Sequence, residues 1–104
     1  MSDIADGLPS REEFSEHVNS AFQMRLGEGS AVDFCLVGVD DIVSNAVQEN
    51  YALTFLAPLD TQPAQGIYRL DHETLGELEI FLVPVKKDES GLYLEAVFNR
   101  FISQ

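Results

Sequence analysis

The chain has 104 residues, 45% of them hydrophobic, which is enough for one folded domain with its own core, so residues 1–104 are treated as a single domain. Acidic residues outnumber basic residues 18 to 6, and the formal net charge of -12 repels phosphate groups. This charge argues against nucleic acid and an anionic membrane surface as direct partners, and it is compatible with a basic protein surface.

Residues 1–9 are small and polar, and we expect them to be disordered. They have neither the basic region nor the apolar core of a secretory signal, and no run in the chain approaches membrane-spanning length. Cys35 is the only cysteine, so an internal disulfide cannot form, and such a chain suits a reducing compartment. We therefore expect a cytoplasmic protein.

A short amphipathic helix is predicted next. Ser10 and Glu13 have the spacing of a capping box, in which each side chain bonds to a backbone N–H group of the other. Phe14 and Val18 follow at a spacing of four, so they lie on one face of a helix. The pattern predicts a helix of about two to three turns that ends near Asn19.

Two strands joined by a short turn should follow the helix. From Ala21 apolar residues alternate with others, and residues 27–30, GEGS, have the composition of a turn. The alternation resumes at Val32, and strands this close in sequence pair antiparallel. Residues 40–50, DDIVSNAVQEN, fit either a single helical turn or an irregular crossing, and we leave both interpretations open.

The remainder of the chain reads as strands and loops. Tyr51 begins a strand that Pro58 ends, and residues 58–65 form an exposed loop, which is either a recognition loop or a connector. Three further strands are predicted over residues 67–71, 77–85 and 92–101, with the loop KKDESG before the last.

Both faces of the last two predicted strands carry apolar residues. Leu78, Ile80 and Leu82 share one face, while Phe81 lies on the other with Glu77 and Glu79. A sheet with two apolar faces needs two covers, and those available are the curling sheet itself and the N-terminal helix. We therefore predict a mainly β fold with one N-terminal α-helix: a small antiparallel β-barrel or roll of about six strands, capped by the helix.

The second half of the chain also carries a series of short motifs. They are Gln65-Gly66-x-Tyr68-x-Leu70-x-His72, Leu75-Gly76, Phe81-x-Val83-Pro84 and Glu95-Ala96-Val97-Phe98-Asn99. This pattern resembles a family of short bacterial proteins that is known only as a domain of unknown function. The upstream segments EEFSEHVNSAFQMRL and FLAP are similar to that family too, so the resemblance covers nearly the whole chain. It implies a bacterial protein with a loose link to fibre or collar proteins of phage tails.

The densest polar cluster consists of six residues in the second half: Tyr68, Arg69, Asp71, His72, Glu73 and Glu77. A histidine beside carboxylates has the chemistry of a general base or a metal ligand. Neighbouring residues of a strand point to opposite faces, however, and the chain has only two histidines. A histidine that satisfies the backbone of a turn by hydrogen bonding is the favoured interpretation.

No cofactor or metal site is predicted. The chain lacks the glycine-rich loops that hold phosphate groups. Asp40 and Asp41 lack the spaced acids of a calcium loop, so a solvated loop is the simpler interpretation.

The sequence therefore favours a small, acidic, non-enzymatic protein-protein interaction module: an adaptor, accessory factor or inhibitor that binds a larger, basic protein. The acidic and amide side chains that would contact this partner are Asp40, Asp41, Asp60, Gln62, Glu77 and Glu79. A subunit of a phage-tail-like assembly is the specialised form of this hypothesis, and homo-oligomerisation stays open. The alternative is a small-molecule-binding barrel or an enzyme that uses the region of Tyr68, Arg69, His72 and Glu95.

Overall fold

The computed structural model describes residues 9, 11–27, 30–44, 48–61 and 63–101. The elements in chain order are α1 (Arg11–Ser15), β1 (Ala21–Gly27), β2 (Ser30–Ser44), β3 (Gln48–Ala57), β4 (Gly66–His72), β5 (Gly76–Asp88) and β6 (Gly91–Phe101). The six strands are antiparallel and close into a barrel in the order β1-β2-β3-β6-β5-β4. The predicted mainly β fold with one N-terminal helix is confirmed.

Alternate residues of the strands fill the interior of the barrel. Phe22 and Phe55 meet there edge to face, with ring centroids 5.3 Å apart. Leu78, Ile80 and Leu82 all point inward, which confirms the predicted face of β5. Each large side chain buried in this way stabilises the fold by about 1.5–3 kcal/mol. The fully buried strand residues are Phe22, Phe34, Leu36, Leu53, Phe55, Leu70, Leu82 and Leu94.

The seams between strands differ greatly in length. β3 and β6 pair over ten residues, from Gln48 opposite Phe101 to Ala57 opposite Leu92. Between β1 and β4 the described chain has only two such pairs, Gln23 with Asp71 and Met24 with Leu70. The barrel is therefore closed at its least extensively paired seam.

Helix α1 is shorter than predicted. It ends at Ser15, and a turn follows, in which the N–H of His17 donates to the carbonyl of Phe14 at 3.0 Å. Asn19 then adopts a φ of 76° and donates its N–H to the carbonyl of Leu36 on β2. The predicted end near Asn19 is wrong, because the backbone of Asn19 is already bonded to β2 and cannot continue the helix. The predicted cap residue Ser10 lies outside the described residues.

Helix α1 nevertheless covers one end of the barrel. Phe14 is fully buried, and its ring stacks on that of Phe98 with centroids 6.1 Å apart. Arg11 binds the carboxylate of Asp41 on β2 through both Nε and Nη2, with Nη2 at 2.9 Å. A buried aromatic ring and an ion pair therefore hold the helix against the sheet.

Residues 40–44 and 48–50 belong to a long hairpin of β2 and β3, so a helical turn or an irregular crossing is wrong for them. Residues 45–47 lie outside the described residues. The register of β2 against β3 shifts between Leu36 and Gly38 and again between Asp41 and Val43. Such bulges move side chains to the other face of a strand, so the sequence loses its alternation although the strand continues.

The predicted loop KKDESG is also shorter than expected, because Lys86, Lys87 and Asp88 extend β5. The ammonium group of Lys86 lies 5.0 Å from the ring centroid of Tyr93 on β6, a contact that favours the extended strand.

Adjacent residues of β5 test the assignment of faces. Leu82 is fully buried, so Leu82→Ala should lower the free energy of unfolding by about 2–5 kcal/mol. Phe81 points outward and is 53% exposed, so Phe81→Ala should cost less than about 1 kcal/mol. Urea denaturation measures both values, and equal losses would show that Phe81 belongs to the core.

Gly91, the first residue of β6, tests the close approach of that strand to the end of β3. Its φ is 145°, and a Cβ atom there would lie 2.2 Å from the carbonyl oxygen of Ala57. Gly91→Ala should therefore destabilise the fold by more than about 1 kcal/mol. Gly38→Ala is the matched control, because no atom lies within 4 Å of a Cβ at that position. Equal stability of the two variants would contradict the close approach at Gly91.

Candidate functional site

Three cross-strand residue pairs cover the outer face of the β4–β5 hairpin, because the residues between them fill the barrel. These pairs are Ile67 with Phe81, Arg69 with Glu79, and Asp71 with Glu77. We call these six residues the β4–β5 outer face. Ile67 is 73% exposed and Phe81 is 53% exposed, so an apolar pair stands in solvent beside a charged one.

The charged part of the β4–β5 outer face is acidic. Its three carboxylates and one guanidinium give a formal charge of -2 (1 − 3). Arg69 Nη2 lies 2.8 Å from Glu79 Oε2, and both side chains are exposed, so their ion pair contributes little to folding. An open depression of about 460 Å³ lies on this face and is lined by Ile67, Arg69, Asp71, Glu77 and Glu79.

Exposed apolar side chains concentrate near this face. In the described part of the chain, six large ones are about half exposed or more, and four of these lie on β4, β5 and β6. The four are Ile67, Phe81, Val85 and Val97. The expectation that both apolar faces are covered is therefore wrong here: α1 is five residues long and packs at the barrel's end, and the curled sheet covers only its own inner face.

The acidic residues proposed from the sequence do not form one patch. Glu77 and Glu79 lie together on the β4–β5 outer face. Asp40 and Asp41 lie on β2, which two strands separate from β5 in either direction around the barrel. Asp41 is bound to Arg11.

The remaining proposed residues belong to the loop after β3. Asp60 is exposed in a turn in which the N–H of Thr61 donates to the carbonyl of Pro58 at 3.0 Å. Gln62 lies outside the described residues. Of the six, Glu77 and Glu79 are therefore the two that the described structure places on the same face as Ile67 and Phe81.

The four residues of the alternative site point to different faces of the sheet. Tyr68 points into the barrel, where its ring lies 5.7 Å from that of Phe34. His72 is also internal, whereas Arg69 binds Glu79 on the outside. Glu95 alternates with the buried Leu94 and Ala96, so it points outward. These side chains do not converge on one ligand.

His72, the last residue of β4, is only 5% exposed. Its Nδ1 atom accepts hydrogen bonds from the backbone N–H groups of Thr74 at 3.0 Å and Leu75 at 3.1 Å. Both donors belong to the turn that joins β4 to β5. The prediction that a histidine here satisfies the backbone of a turn is confirmed.

The two hydrogen bonds that Nδ1 of His72 accepts fix the tautomer of the ring. Because Nδ1 accepts two bonds and carries no proton, the neutral ring is protonated at Nε2. Nε2 lies 2.9 Å from Ser20 Oγ, and that hydroxyl donates to the carbonyl of His17 at 2.5 Å. A general base for Ser20 would have to accept the hydroxyl proton, whereas this ring donates to the hydroxyl. The arrangement holds Ser20 in place and does not activate it as a nucleophile.

The ring of His72 is packed against other rings. Its centroid lies 4.5 Å from that of Phe22 and 4.7 Å from that of His17. Burial lowers the pKa of His72 below its usual value of 6.5, the nearby His17 lowers it further, and Glu73 opposes both effects. His72 is therefore neutral at pH 7.

Within the described residues, no three histidine, cysteine or acidic side chains are grouped so that they could hold a metal ion. The same part of the chain has no helix that is both long and apolar enough to span a membrane.

A family model described as Domain of unknown function (DUF6916) matches residues 9–98. The chain belongs to this family. No curated protein and no solved structure matches it. The resemblance to a domain of unknown function is therefore confirmed, and the function of this DUF6916 domain has to be inferred from the geometry of the fold.

Sequence reasoning missed two features of the DUF6916 domain. The exposure of Ile67 was not expected, although its alternation with Arg69 and Asp71 is visible in the sequence. The contact of Ser20 with His72 joins residues 52 positions apart, and no local pattern signals it.

The hydrogen bonds of His72 predict a large effect on stability. His72→Ala removes the acceptor for two backbone N–H groups and the donor to Ser20, so the free energy of unfolding should fall by about 2 kcal/mol or more. Glu73→Ala, an exposed neighbour in the same turn, should stay within about 0.5 kcal/mol of wild type. Chemical denaturation at pH 7.5 measures both, and equal effects would contradict the proposed role of the ring.

Proposed function

We propose that this domain is a non-enzymatic protein-protein interaction module that docks on a basic surface of a larger protein through the β4–β5 outer face. The observation that carries the proposal is the exposure of the paired side chains Ile67 and Phe81. Exposed apolar side chains that stand together and are bordered by polar residues are typical of interaction surfaces.

The charge of the chain supports a basic partner. Glu79 lies next to the apolar pair, Asp71 and Glu77 lie further along the same face, and the whole chain carries a formal charge of -12. Opposite charges on two proteins accelerate their encounter and fix their orientation. A second copy of the same chain is a poor match, because two acidic faces would repel each other.

The filled interior of the barrel favours a partner bound at the outer surface over a small molecule bound inside. The inward side chains of all six strands include large residues with no exposed area, such as Phe34, Phe55 and Leu94. The described depressions are open and lie on the outside. An adaptor, accessory factor or inhibitor needs no internal pocket, and a cytoplasmic partner is consistent with the lone cysteine.

The test is a pull-down with the tagged protein from its host at low and high salt, followed by mass spectrometry. The double variant Ile67→Ser/Phe81→Ser should lose the partner, because it removes the apolar centre of the contact. Ile42→Ser is the matched control, since Ile42 is 55% exposed on β2, away from this face. Wild type and the control should retain the same basic protein at low salt and release it at high salt.

Charge variants test the border of the face separately. Glu77→Gln/Glu79→Gln should weaken retention, whereas Asp40→Asn/Asp60→Asn, with the same change in net charge, should not. Equal loss in both variants would show that net charge alone attracts the partner. Retention of the partner by Ile67→Ser/Phe81→Ser would overturn the proposed face, and a retained fibre or collar protein would identify a phage-tail-like assembly.

A further inference from the structure

We infer that His72 makes the β4–β5 outer face acid-responsive: protonation of its ring releases the turn between β4 and β5 and loosens the seam between β1 and β4. The effect of this change on partner binding rests on the proposed function, because the β4–β5 hairpin carries the proposed docking face. The conformational change itself depends only on the contacts of His72.

His72 contacts both the turn between β4 and β5 and the residue that precedes β1. It directly follows Leu70 and Asp71, the residues of β4 that pair with β1. Ser20, its partner through Nε2, directly precedes β1. The described part of this seam has two residue pairs, and the bond between Ser20 and His72 adds a third contact to it.

A proton on Nδ1 conflicts with the present contacts of the ring. In the imidazolium form both ring nitrogens are donors. The N–H groups of Thr74 and Leu75 already point at Nδ1, at 3.0 and 3.1 Å, so three donors would face one another. The two backbone N–H groups, which are part-buried, would lose their acceptor, and that loss is costly. The turn between β4 and β5 must therefore rearrange when the ring is protonated.

The charged groups around His72 come from two segments. His17 faces it from the turn after α1, and Glu73 and Asp71 flank it in the chain. An open depression lies beside His72. The β1 residues that line it, Ala21 and Gln23, are uncharged. The ring of His17, with its centroid 4.7 Å from that of His72, opposes protonation of His72.

The sign of the pH dependence follows from these contacts. The folded state holds His72 neutral and lowers its pKa, so the unfolded chain binds the proton more readily below about pH 6.5. Above that pH the neutral ring makes its full contribution to the free energy of unfolding. This contribution is lost as the pH falls through the lower pKa of the folded protein.

The consequence for the proposed docking face follows from the hairpin geometry. The turn fixes the register of β4 against β5, from His72 opposite Gly76 to Gly66 opposite Leu82. Ile67 and Phe81 face each other only in that register. Release of the turn therefore weakens the arrangement of the apolar pair and of the carboxylates beside it.

The test uses the wild-type protein and no partner, so its outcome is independent of the proposed function. Nitrogen-15 NMR of the imidazole rings measures the tautomer and the titration of His72, while amide hydrogen exchange is followed at Thr74 and Leu75 from pH 7.5 to pH 4.5. We expect a neutral ring protonated at Nε2. We also expect the protection of both amides, corrected for the intrinsic pH dependence of exchange, to be lost along the titration curve of His72. The amide of Leu53 in the β3–β6 seam serves as the internal reference.

His72→Asn is the matched variant. The side-chain oxygen of asparagine accepts from backbone N–H groups two and three positions ahead and does not titrate, so protection at Thr74 and Leu75 should stay constant over the same pH range. Either protection that persists in wild type after His72 is protonated, or a neutral ring protonated at Nδ1, would overturn the inference. These two wild-type outcomes decide the question even if His72→Asn does not fold.

Discussion

The buried imidazole ring of His72 supports the closed barrel through both of its ring nitrogens. The described residues of β1 and β4 form only two residue pairs, and His72 follows the last of them in β4. One of its nitrogens organises the turn that starts β5, and the other is tied through Ser20 to the segment that starts β1. The remaining seams are held by longer ladders of backbone hydrogen bonds, which need no such side chain.

This closure has a consequence for the outer surface. The β4–β5 hairpin is paired with β1 over a short stretch, and its outer face is left without a covering element in the described chain. Leucine, isoleucine and phenylalanine side chains fill the interior of the barrel. The apolar side chains on the outer face therefore contribute little to folding. Their exposure beside acidic residues is the observation that supports the proposed contact with another protein.

The sequence predicted the fold well where local patterns are regular. Strict alternation over Leu78, Ile80 and Leu82 gave the inner face of β5, and two apolar faces indicated a curled sheet. It failed over residues 40–44, because two register shifts in β2 interrupt the alternation that identifies a strand. The helix was predicted too long because Phe14 and Val18 keep helical spacing, while pairing with β2, which no local pattern reveals, ends the helix.

The candidate site was only partly predictable for the same reason. The role of His72 in a turn followed from its place after a strand and before Leu75-Gly76. Its tie to Ser20 depends on barrel closure, which brings the first and fourth strands together. Charge alone suggested six partner-binding residues, whereas the described fold places only Glu77 and Glu79 on the face that carries Ile67 and Phe81.

Zero-length carbodiimide cross-linking of the recovered complex tests the docking face most directly, because it joins lysines of the partner to carboxylates that touch them. Peptide mapping should place the cross-links at Asp71, Glu77 or Glu79, the carboxylates that line the β4–β5 outer face. Cross-links confined to Asp40 and Asp60 would contradict the account, since these exposed acids lie on β2 and in the loop after β3.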